Sequence, residues 1–392
     1  RETNPERIEA RRRGISVIRR AAALAAVMEG YRGVAVAGSA GKTTTTSMLT
    51  VAVQACGADP SFAIGGDLNE SGSNAHQGRG ELFIVEADES DGSFLLLSPA
   101  AAVVTNIAPD HLDQHGTREA YEQAFADFVE RITPGGLLVV SADDHGTLRL
   151  ARPGRDRGLV VRTFGTAPGA DLQVTNLSVR PDGTSFRAVT AGGEHDVRIA
   201  QTGAHMAANA AAALLTGLEL GLPADGVLAG LERFGGVHRR FEYKGAARGV
   251  RVYDDYAHHP AKVSAQLAAA RVVAAPGRLV VVFQPHLYSR TRDFADDFGT
   301  ALGAADEVVV MEVAGVREDP IPGVTGALVA DAVPLAAERV HYEPSWLATP
   351  GLVAGLARPG DLIVTMGAGT VTMLGPEILA ELTDPDDADG DR

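Results

Sequence analysis

The sequence predicts an α/β protein in which two mainly parallel sheets are covered by helices. Short apolar runs alternate with helical stretches along most of the chain, and glycines stand at the turns, a pattern typical of parallel strands joined by crossover helices. The length of 392 residues exceeds the size at which one hydrophobic core usually stops growing, so we expect two domains or three. Hydrophobic residues at 45% and charged residues at 22% are typical of a soluble globular protein.

Charge and cysteine content argue against several classes of protein. Fifty acidic residues against 35 lysines and arginines give a net charge of −15, which argues against a generic nucleic-acid binder, since such proteins need a basic surface. Cys56 alone excludes an intrachain disulfide and a zinc site with two thiolates, and it favours a reducing, cytoplasmic location. We find neither a signal peptide nor an apolar run of about 18 residues, so we expect no membrane association.

Residues 1–30 are predicted to be a linker, because the first 20 residues are polar and carry seven arginines. A solvated helix is a simpler interpretation of them than a nucleic-acid-binding arm. From residue 31 the pattern changes to strands at 34–38, 82–88, 101–107 and 137–143, with helices from about Lys42 and over 118–132. Shorter alternating segments within 171–199 predict a small antiparallel β element, and a helix over 205–220 follows.

A second α/β pattern occupies the rest of the chain. Its predicted strands are 250–257, 279–286, 306–313, 339–344 and 361–369, separated mostly by helices such as 260–275, which predicts a Rossmann-like domain. Two glycines follow a helical segment at 234–236, so the predicted domains are 31–235 and 236–383. Residues 384–392 contain five aspartates and predict a disordered acidic tail.

The segment VAVAGSAGKTTTTS, residues 34–47, has the features of a phosphate-binding loop. A predicted strand leads into a glycine turn, and Lys42 and Thr43 open a helix, whose first N–H groups and dipole favour an anion. Lys42 is suited to the terminal phosphates of a nucleotide and Thr43 to Mg²⁺, which predicts a domain of P-loop type. Val36 stands where the common pattern has another glycine, so a glycine turn with an exposed lysine is the alternative.

Polar residues follow two other predicted strands. After one strand come Glu86, Asp88, Glu89 and Asp91, and after the next come Asn106, Asp110, His111 and Asp113. Because ligands collect at the carboxyl ends of parallel strands, Glu86 is placed for a metal ion beside the phosphates, and His111 reaches the same edge. A solvated acidic turn is the alternative for the first group and accounts better for Asp91.

Two further clusters follow strands of the second half. DDYAHHP, residues 254–260, has two aspartates and two histidines, and FQPHLYSRTRD, residues 283–293, contains His286, Tyr288, Arg290 and Arg292. A basic loop of this kind suits a carboxylate or phosphate, because guanidinium groups bind such anions through two parallel hydrogen bonds. A surface histidine loop that contacts the acidic tail is an equally good interpretation of the spacing alone.

Nine segments in order resemble the Mur ligases of peptidoglycan synthesis. They are GSAGKTTTTSML, EADESDGSF, TNIAPDHLD, GAHMAANAAAAL, HRRFE, DDYAHHP, FQPHLYSRT, REDPIPGV and GAGTVTMLGPEIL. The phosphate loop of that family is the shorter G-x-x-G-K-[ST], which Gly38, Gly41, Lys42 and Thr43 satisfy. The resemblance therefore implies that the glycine spacing in this loop is functional.

The resemblance also implies roles for individual residues. It implies ATP contacts from Gly38, Ser39, Ala40, Gly41, Lys42, Thr43, Thr44, His205, Asn209, Arg240 and Asp255. It implies metal ligation by Thr43, Glu86 and His111, substrate contacts from His258, His286 and Arg290, and catalytic roles for Lys42, His111 and Arg290. Closure of the C-terminal domain, with a hinge near 234–239, would assemble this site and exclude water.

The implied activity is ATP- and Mg²⁺-dependent joining of L-alanine to the carboxylate of UDP-N-acetylmuramate through an acyl phosphate, by a monomer or weak homodimer. Two alternatives stay open: a ligase with a peptide acceptor, and a nucleotide-binding regulatory paralogue with weak or no turnover. The residues that depart from the family pattern are Ala40, Ala108, Met206 and Thr370. The family's N-terminal domain, which holds the uridine diphosphate, is expected to be lacking in this chain.

Overall fold

The computed structural model of the protein describes residues 4–69, 71–108, 110, 112–316 and 318–383, leaving aside the side chains of Leu112 and Asp113. The predicted acidic tail at 384–392 and the candidate metal ligand His111 lie outside the described residues. No helix in the described part of the chain is both long enough and apolar enough to cross a membrane.

The strands and helices alternate along most of the chain. The strands are β1 (Arg32–Ala37), β2 (Ser61–Ala63), β3 (Ala75–His76), β4 (Leu82–Glu86), β5 (Ala101–Val104), β6 (Leu137–Ser141), β7 (Val160–Gly165), β8 (Leu172–Arg180), β9 (Gly183–Thr190), β10 (Gly193–Ile199), β11 (Glu242–Ala247), β12 (Val250–Asp255), β13 (Leu279–Phe283), β14 (Glu307–Val310), β15 (Val340–Tyr342) and β16 (Leu362–Met366). The helices are α1 (Pro5–Arg12), α2 (Arg20–Val27), α3 (Lys42–Ala55), α4 (Leu112–His115), α5 (Arg118–Glu130), α6 (His145–Asp156), α7 (Ala204–Glu219), α8 (Ala224–Arg233), α9 (Pro260–Ala274), α10 (Tyr288–Leu302), α11 (Ala327–Ala332), α12 (Thr349–Leu356) and α13 (Leu374–Leu382).

Within the described residues the first sheet has ten strands in the order β10-β9-β8-β7-β6-β5-β1-β4-β2-β3. Its centre is parallel, and β1 lies between β4 and β5. The predicted antiparallel element is present as β8, β9 and β10, but it is continuous with the sheet, because β8 pairs in parallel with β7. The predicted strand ends after β1, β4 and β5 therefore lie side by side at one edge.

The second sheet has the order β11-β12-β16-β13-β14-β15 among the described residues. All its pairs are parallel except β11 with β12. Helices α9, α11 and α13 contact its strands, and α10 and α12 contribute residues to the hydrophobic clusters on its faces. This parallel core confirms the predicted Rossmann-like α/β class.

The central strands β5 and β13 are apolar at every position because both faces of each sheet are covered. Val34 and Val36 of β1 belong to the hydrophobic cluster that includes α3, α7 and α8, whereas Ala35 and Ala37 belong to the cluster that includes α5 and α6. Successive side chains of a strand point to opposite faces, so one short strand is anchored from both sides. The polar loop after β1 starts from this fixed point.

The sequence prediction missed four strands, β2, β3, β7 and β11. The first two have three and two residues, too few to show an alternating pattern. β7 contains Arg162, and β11 contains a lysine and a glycine at the sheet edge, so neither has the apolar run that marks a central strand. Helix α1 has no buried residue, as expected of a solvated segment. In α2, by contrast, Leu24 and Ala25 pack against the hydrophobic cluster that includes α5 and α6.

Candidate active site

The phosphate loop, residues 38–41, joins β1 to α3. Gly38 and Gly41 have φ angles of +134° and +83°, a backbone conformation that favours glycine. A Cβ at Gly38 would lie 2.1 Å from the Thr105 hydroxyl, and one at Gly41 would lie 2.4 Å from the side-chain oxygen of Asn209. Only glycine therefore lets the loop turn this closely against the residues after β5 and against α7.

Residues after β5 hold the loop in place. The Asn106 side-chain oxygen accepts from the Ala40 N–H at 3.0 Å, and its nitrogen donates to the Ala40 carbonyl at 2.9 Å. The Thr105 hydroxyl donates to the same carbonyl at 2.6 Å. Ser39 Oγ accepts from the Ala108 N–H at 2.9 Å and lies 2.8 Å from the Ala108 carbonyl. Asn106, predicted to face the site, thus supports the loop, and the unusual Ala40 and Ala108 act here through their backbones.

Lys42 is buried beside an acidic residue. Its Nζ lies 2.6 Å from Glu89 Oε2 and donates to the Gly38 carbonyl at 2.7 Å. Burial alone would lower the pKa of Lys42, but attraction to Glu89, and then to Glu86 and Asp88, outweighs it and raises that pKa. Glu89 is fully buried, so the alternative of a solvated acidic turn is wrong for Glu89, whereas Asp91 is exposed.

Thr43 and Glu86 form the candidate metal site. Thr43 Oγ1 donates to Glu86 Oε1 at 3.0 Å, and the other carboxylate oxygen accepts from the Gly65 N–H at 2.7 Å. The described residues contain no group of three or more His, Cys, Asp or Glu side chains that could enclose a metal. One carboxylate and one hydroxyl fit Mg²⁺, which usually takes one or two protein ligands together with phosphates and water. His111, the third predicted ligand, lies outside the described residues.

Arg240 reaches the phosphate loop from the segment that precedes the second sheet. Its Nη2 donates to Thr43 Oγ1 at 3.1 Å, and its guanidinium lies 5.0 Å from the ring centroid of Tyr256. The neighbouring Arg239 has a φ of +62° and donates to the carbonyls of Gly367 and Gly369 at 2.8 and 3.0 Å. The strained backbone at Arg239 is thereby fixed to the second sheet, while Arg240 points to the first.

Asp110 is the centre of a second contact between the halves. Its Oδ1 accepts from Arg290 at 2.7 Å and its Oδ2 from Lys262 at 3.2 Å, and both cations stand in the first turns of their helices, α10 and α9. Burial, and then repulsion from Lys42, lower the pKa of Lys262. Lys262 was not predicted from the sequence, although its place two residues after DDYAHHP, at the start of a predicted helix, is a signal for a residue of the site.

His258 and His286 face each other with ring centroids 5.9 Å apart. His258 Nδ1 lies 2.8 Å from the Tyr256 carbonyl, which can only accept, so Nδ1 carries the proton and Nε2 has a free lone pair. Burial, and then the charges of Lys262 and Arg290, hold the pKa of His258 well below its usual range. His258 is therefore neutral near pH 7.

Two cavities open near these side chains. One, of about 410 Å³, lies between the halves. Its lining includes Met206, Gln201, Arg240, Phe241, Tyr243 and Tyr253. The other, of about 470 Å³, lies at the carboxyl ends of β13, β14 and β16 and is lined in part by His286, Glu312, Trp346 and Thr370. The first has the aromatic and polar walls that suit a nucleotide base, and the second suits a small polar molecule.

The remaining residues predicted to contact ATP are buried or bonded to the backbone. Asn209 is buried and accepts from Thr45 at 3.2 Å beside Gly41, and Thr44 is buried in α3. Asp255 accepts from the Phe241 and Ala257 N–H groups at 2.8 and 2.7 Å, and burial raises its pKa to about 6. Burial lowers the pKa of His205 to about 4. Asp255 thus organises the segment that carries Arg240.

The fold and the site define an α/β protein in which a glycine loop with the geometry of a phosphate-binding loop, on one sheet, meets cationic side chains of another. Residues 36–217 match the Mur ligase middle domain, and residues 239–369 match the glutamate ligase domain of Mur ligases. The chain belongs to the Mur ligase family.

Relatives and solved structures agree with this assignment. UDP-N-acetylmuramate–L-alanine ligase of Saccharopolyspora erythraea is 62% identical over 384 residues, which cover 97% of this chain and 78% of the relative. The protein of the same name from Kineococcus radiotolerans is 55% identical over 380 residues, 97% of this chain and 80% of the relative. The crystal structure of UDP-N-acetylmuramate-alanine ligase from Thermotoga maritima matches with a TM-score of 0.80 and 25% identity, over 97% of this chain and 82% of that chain. The domain bounds stay predictions.

Proposed function

We propose that this chain is an ATP-dependent ligase that joins L-alanine to the carboxylate of UDP-N-acetylmuramate, a step in the synthesis of peptidoglycan precursors. The observation that carries the proposal is the meeting of Lys42, Thr43 and Arg240 at the junction, where Arg240 Nη2 lies 3.1 Å from Thr43 Oγ1. The names and high identities of the two bacterial relatives support the choice of substrates. Both substrates are small molecules, in keeping with a cytoplasmic monomer or weak homodimer without nucleic acid or membrane partners.

The first step is attack of the substrate carboxylate on the γ-phosphate of ATP, which breaks the bond from the γ-phosphorus to the bridging oxygen and gives an acyl phosphate and ADP. Lys42 and Arg240 would neutralise the charge that moves to the β-phosphate, which is the main contribution a protein makes to phosphoryl transfer. Thr43 and Glu86, with His111 as a third candidate, would hold Mg²⁺, which supplies further positive charge at the phosphates. The loop residues 38–41 and Thr44 would surround the phosphates.

The adenosine is proposed to occupy the cavity of about 410 Å³ between the halves. Met206 lines that cavity from α7, on which His205 and Asn209 also stand, and Arg240 lines it from the other side. Asp255 would contribute by holding the backbone at Phe241. Because both halves contribute to the wall, ATP binding would favour the closed arrangement of the two domains.

The second step is attack of the alanine amine on the acyl phosphate through a tetrahedral intermediate, which releases phosphate. Arg290 would bind a carboxylate, and His258, neutral with its Nε2 lone pair free, would accept the proton that the attacking nitrogen loses. L-Alanine itself is proposed to enter the cavity of about 470 Å³ that His286 lines. Contacts of Asp110 with Lys262 and Arg290 would keep the halves closed while the acyl phosphate exists, which protects it from water.

The direct test is phosphate release from ATP on addition of UDP-N-acetylmuramate with L-alanine, glycine or L-serine. Release that depends on L-alanine supports the ligase. A peptide in place of L-alanine tests the recycling alternative, and release with the peptide alone would replace our assignment. ATP that raises the melting temperature without any release would favour the regulatory paralogue, with Ala40 and Thr370 as its first candidates, because a ligand stabilises whatever it binds.

A further inference from the structure

A chain of polar side chains lies behind the phosphate loop. Ser39 Oγ lies 2.7 Å from the Tyr121 hydroxyl, and Tyr121 lies 3.4 Å from Glu89 Oε1. The other oxygen of Glu89 lies 2.6 Å from Lys42 Nζ. The chain therefore starts at one residue of the loop, passes through α5 and the segment after β4, and returns to the lysine that follows the loop.

Burial limits the freedom of these groups. Tyr121 and Glu89 are fully buried, and Ser39 is nearly so. A buried carboxylate is costly unless a charge and hydrogen bonds compensate it, so Glu89 depends on Lys42 and Tyr121. Burial, and then the charge of Glu89, raise the pKa of Tyr121, so its hydroxyl keeps its proton. That proton is donated to Glu89 Oε1, and the hydroxyl oxygen accepts from Ser39 Oγ. The His115 ring packs edge-on against Tyr121 with centroids 5.1 Å apart and further restricts that hydroxyl.

We propose that Tyr121 and Glu89 are positioning residues that fix the Lys42 ammonium and the Ser39 turn for phosphoryl transfer, an inference that rests on the proposed ATP-dependent ligation. Glu89 supplies the counter-charge that holds Lys42 over the loop. The Tyr121 hydroxyl connects that carboxylate to Ser39, so the lysine and the loop move together. An error of about 1 Å in the place of a reacting group is sufficient to cost about 100-fold in rate, which is why such support matters.

The test compares Tyr121→Phe with Tyr31→Phe in the whole chain. Tyr31 packs edge-on against Phe83 on the same sheet, with centroids 5.5 Å apart, so the control removes a hydroxyl away from the loop. For Tyr121→Phe we expect kcat to fall about tenfold, with less than about a threefold change in the KM for ATP, because the loop still binds phosphates but orients them poorly. Tyr31→Phe should retain the wild-type kcat.

Variants of Glu89 separate positioning from a purely structural role. Glu89→Gln should lower kcat further than Tyr121→Phe, and Glu89→Asp, which keeps the charge on a shorter side chain, should recover part of the loss. Turnover is measured per ATP-binding site, so that unfolded molecules do not count. If the wild-type chain is active and Tyr121→Phe has the same kcat, the inference about Tyr121 is overturned, whereas the proposed function is not. A wild-type chain without ATP-dependent phosphate release would overturn the proposed function, and the inference with it.

Discussion

The two halves of the molecule contribute to the site in different ways. In the first half, the phosphate loop is fixed by two glycines and by hydrogen bonds from Asn106 and Thr105. In the second half, Arg240, Lys262 and Arg290 reach across the junction as side chains. The first half therefore presents a preformed phosphate site, whereas the second supplies charge only where the halves meet. Substitutions around the phosphate loop, and of Arg240, which reaches Thr43 from the second half, should act on phosphoryl transfer. Other substitutions in the second half should act on closure and on the other substrates.

The largest effect is expected for Lys42→Met. Loss of its charge at the phosphates should lower kcat about 1000-fold, measured as phosphate release. Because Lys42 forms an ion pair with fully buried Glu89, its replacement should also lower the free energy of unfolding by about 3–5 kcal/mol.

The double variant Lys42→Met/Glu89→Gln separates these two effects. It should recover most of the free energy of unfolding, measured by urea denaturation, because no unpaired charge stays buried, and it should recover none of the activity. Activity in either variant would remove Lys42 from the proposed mechanism.

Arg290→Ala should have the next largest effect. We expect kcat/KM for L-alanine or for UDP-N-acetylmuramate to fall about 100-fold, because a guanidinium that binds a carboxylate is lost, with less than about a threefold change in the KM for ATP. Steady-state kinetics with each substrate varied in turn provides the measurement. A change confined to ATP would contradict the division of labour between the halves.

Lys262→Met tests closure against a matched control, Lys244→Met. The two lysines are 20% and 22% exposed and pair with carboxylates at 3.2 and 3.1 Å, but Lys262 pairs with Asp110 across the junction and Lys244 with Glu242 in its own half. We expect Lys262→Met to lower kcat/KM about tenfold and to expand the radius of gyration measured by X-ray scattering with bound ATP analogue. Equal behaviour of the two variants would mean that the contact does not assist closure.

The smallest expected effect is the change of the free energy of unfolding with pH, and its sign differs between the two halves. The pKa of His205 is lowered from 6.5 to about 4, so the unfolded chain binds more protons between these values and stability rises with pH through this window. The pKa of Asp255 is raised from 3.8 to about 6, so the folded chain binds more protons and stability falls with pH through nearly the same window.

His205→Gln should therefore be more stable relative to wild type at pH 5 than at pH 7, by about 1–2 kcal/mol, because the neutral amide has no proton to lose on folding. Urea denaturation at the two pH values measures this difference. An identical difference between variant and wild type at both values would show that His205 keeps its ordinary pKa in the folded protein.

The predictable part of the site is the part that local patterns encode. The glycine spacing and the helix start at Lys42 follow from short segments, and so do the strands whose ends carry Glu86 and Asn106. Glu89 was named from its place after a strand, but the same acidic segment also fits a solvated turn. Its complete burial depends on Lys42 and Tyr121, which contact it only in the folded chain.

By itself the sequence determined the α/β class, the family, and which polar residues follow each central strand. It could do so because glycine turns and apolar runs are patterns of a few consecutive residues. Only the tertiary structure decided which charges are paired. Asp110 meets Arg290 across 180 positions, and Lys42 meets its buried carboxylate through the pairing of β1 with β4. Such pairs follow from strand order and from the contact between the halves, so no short segment of sequence encodes them.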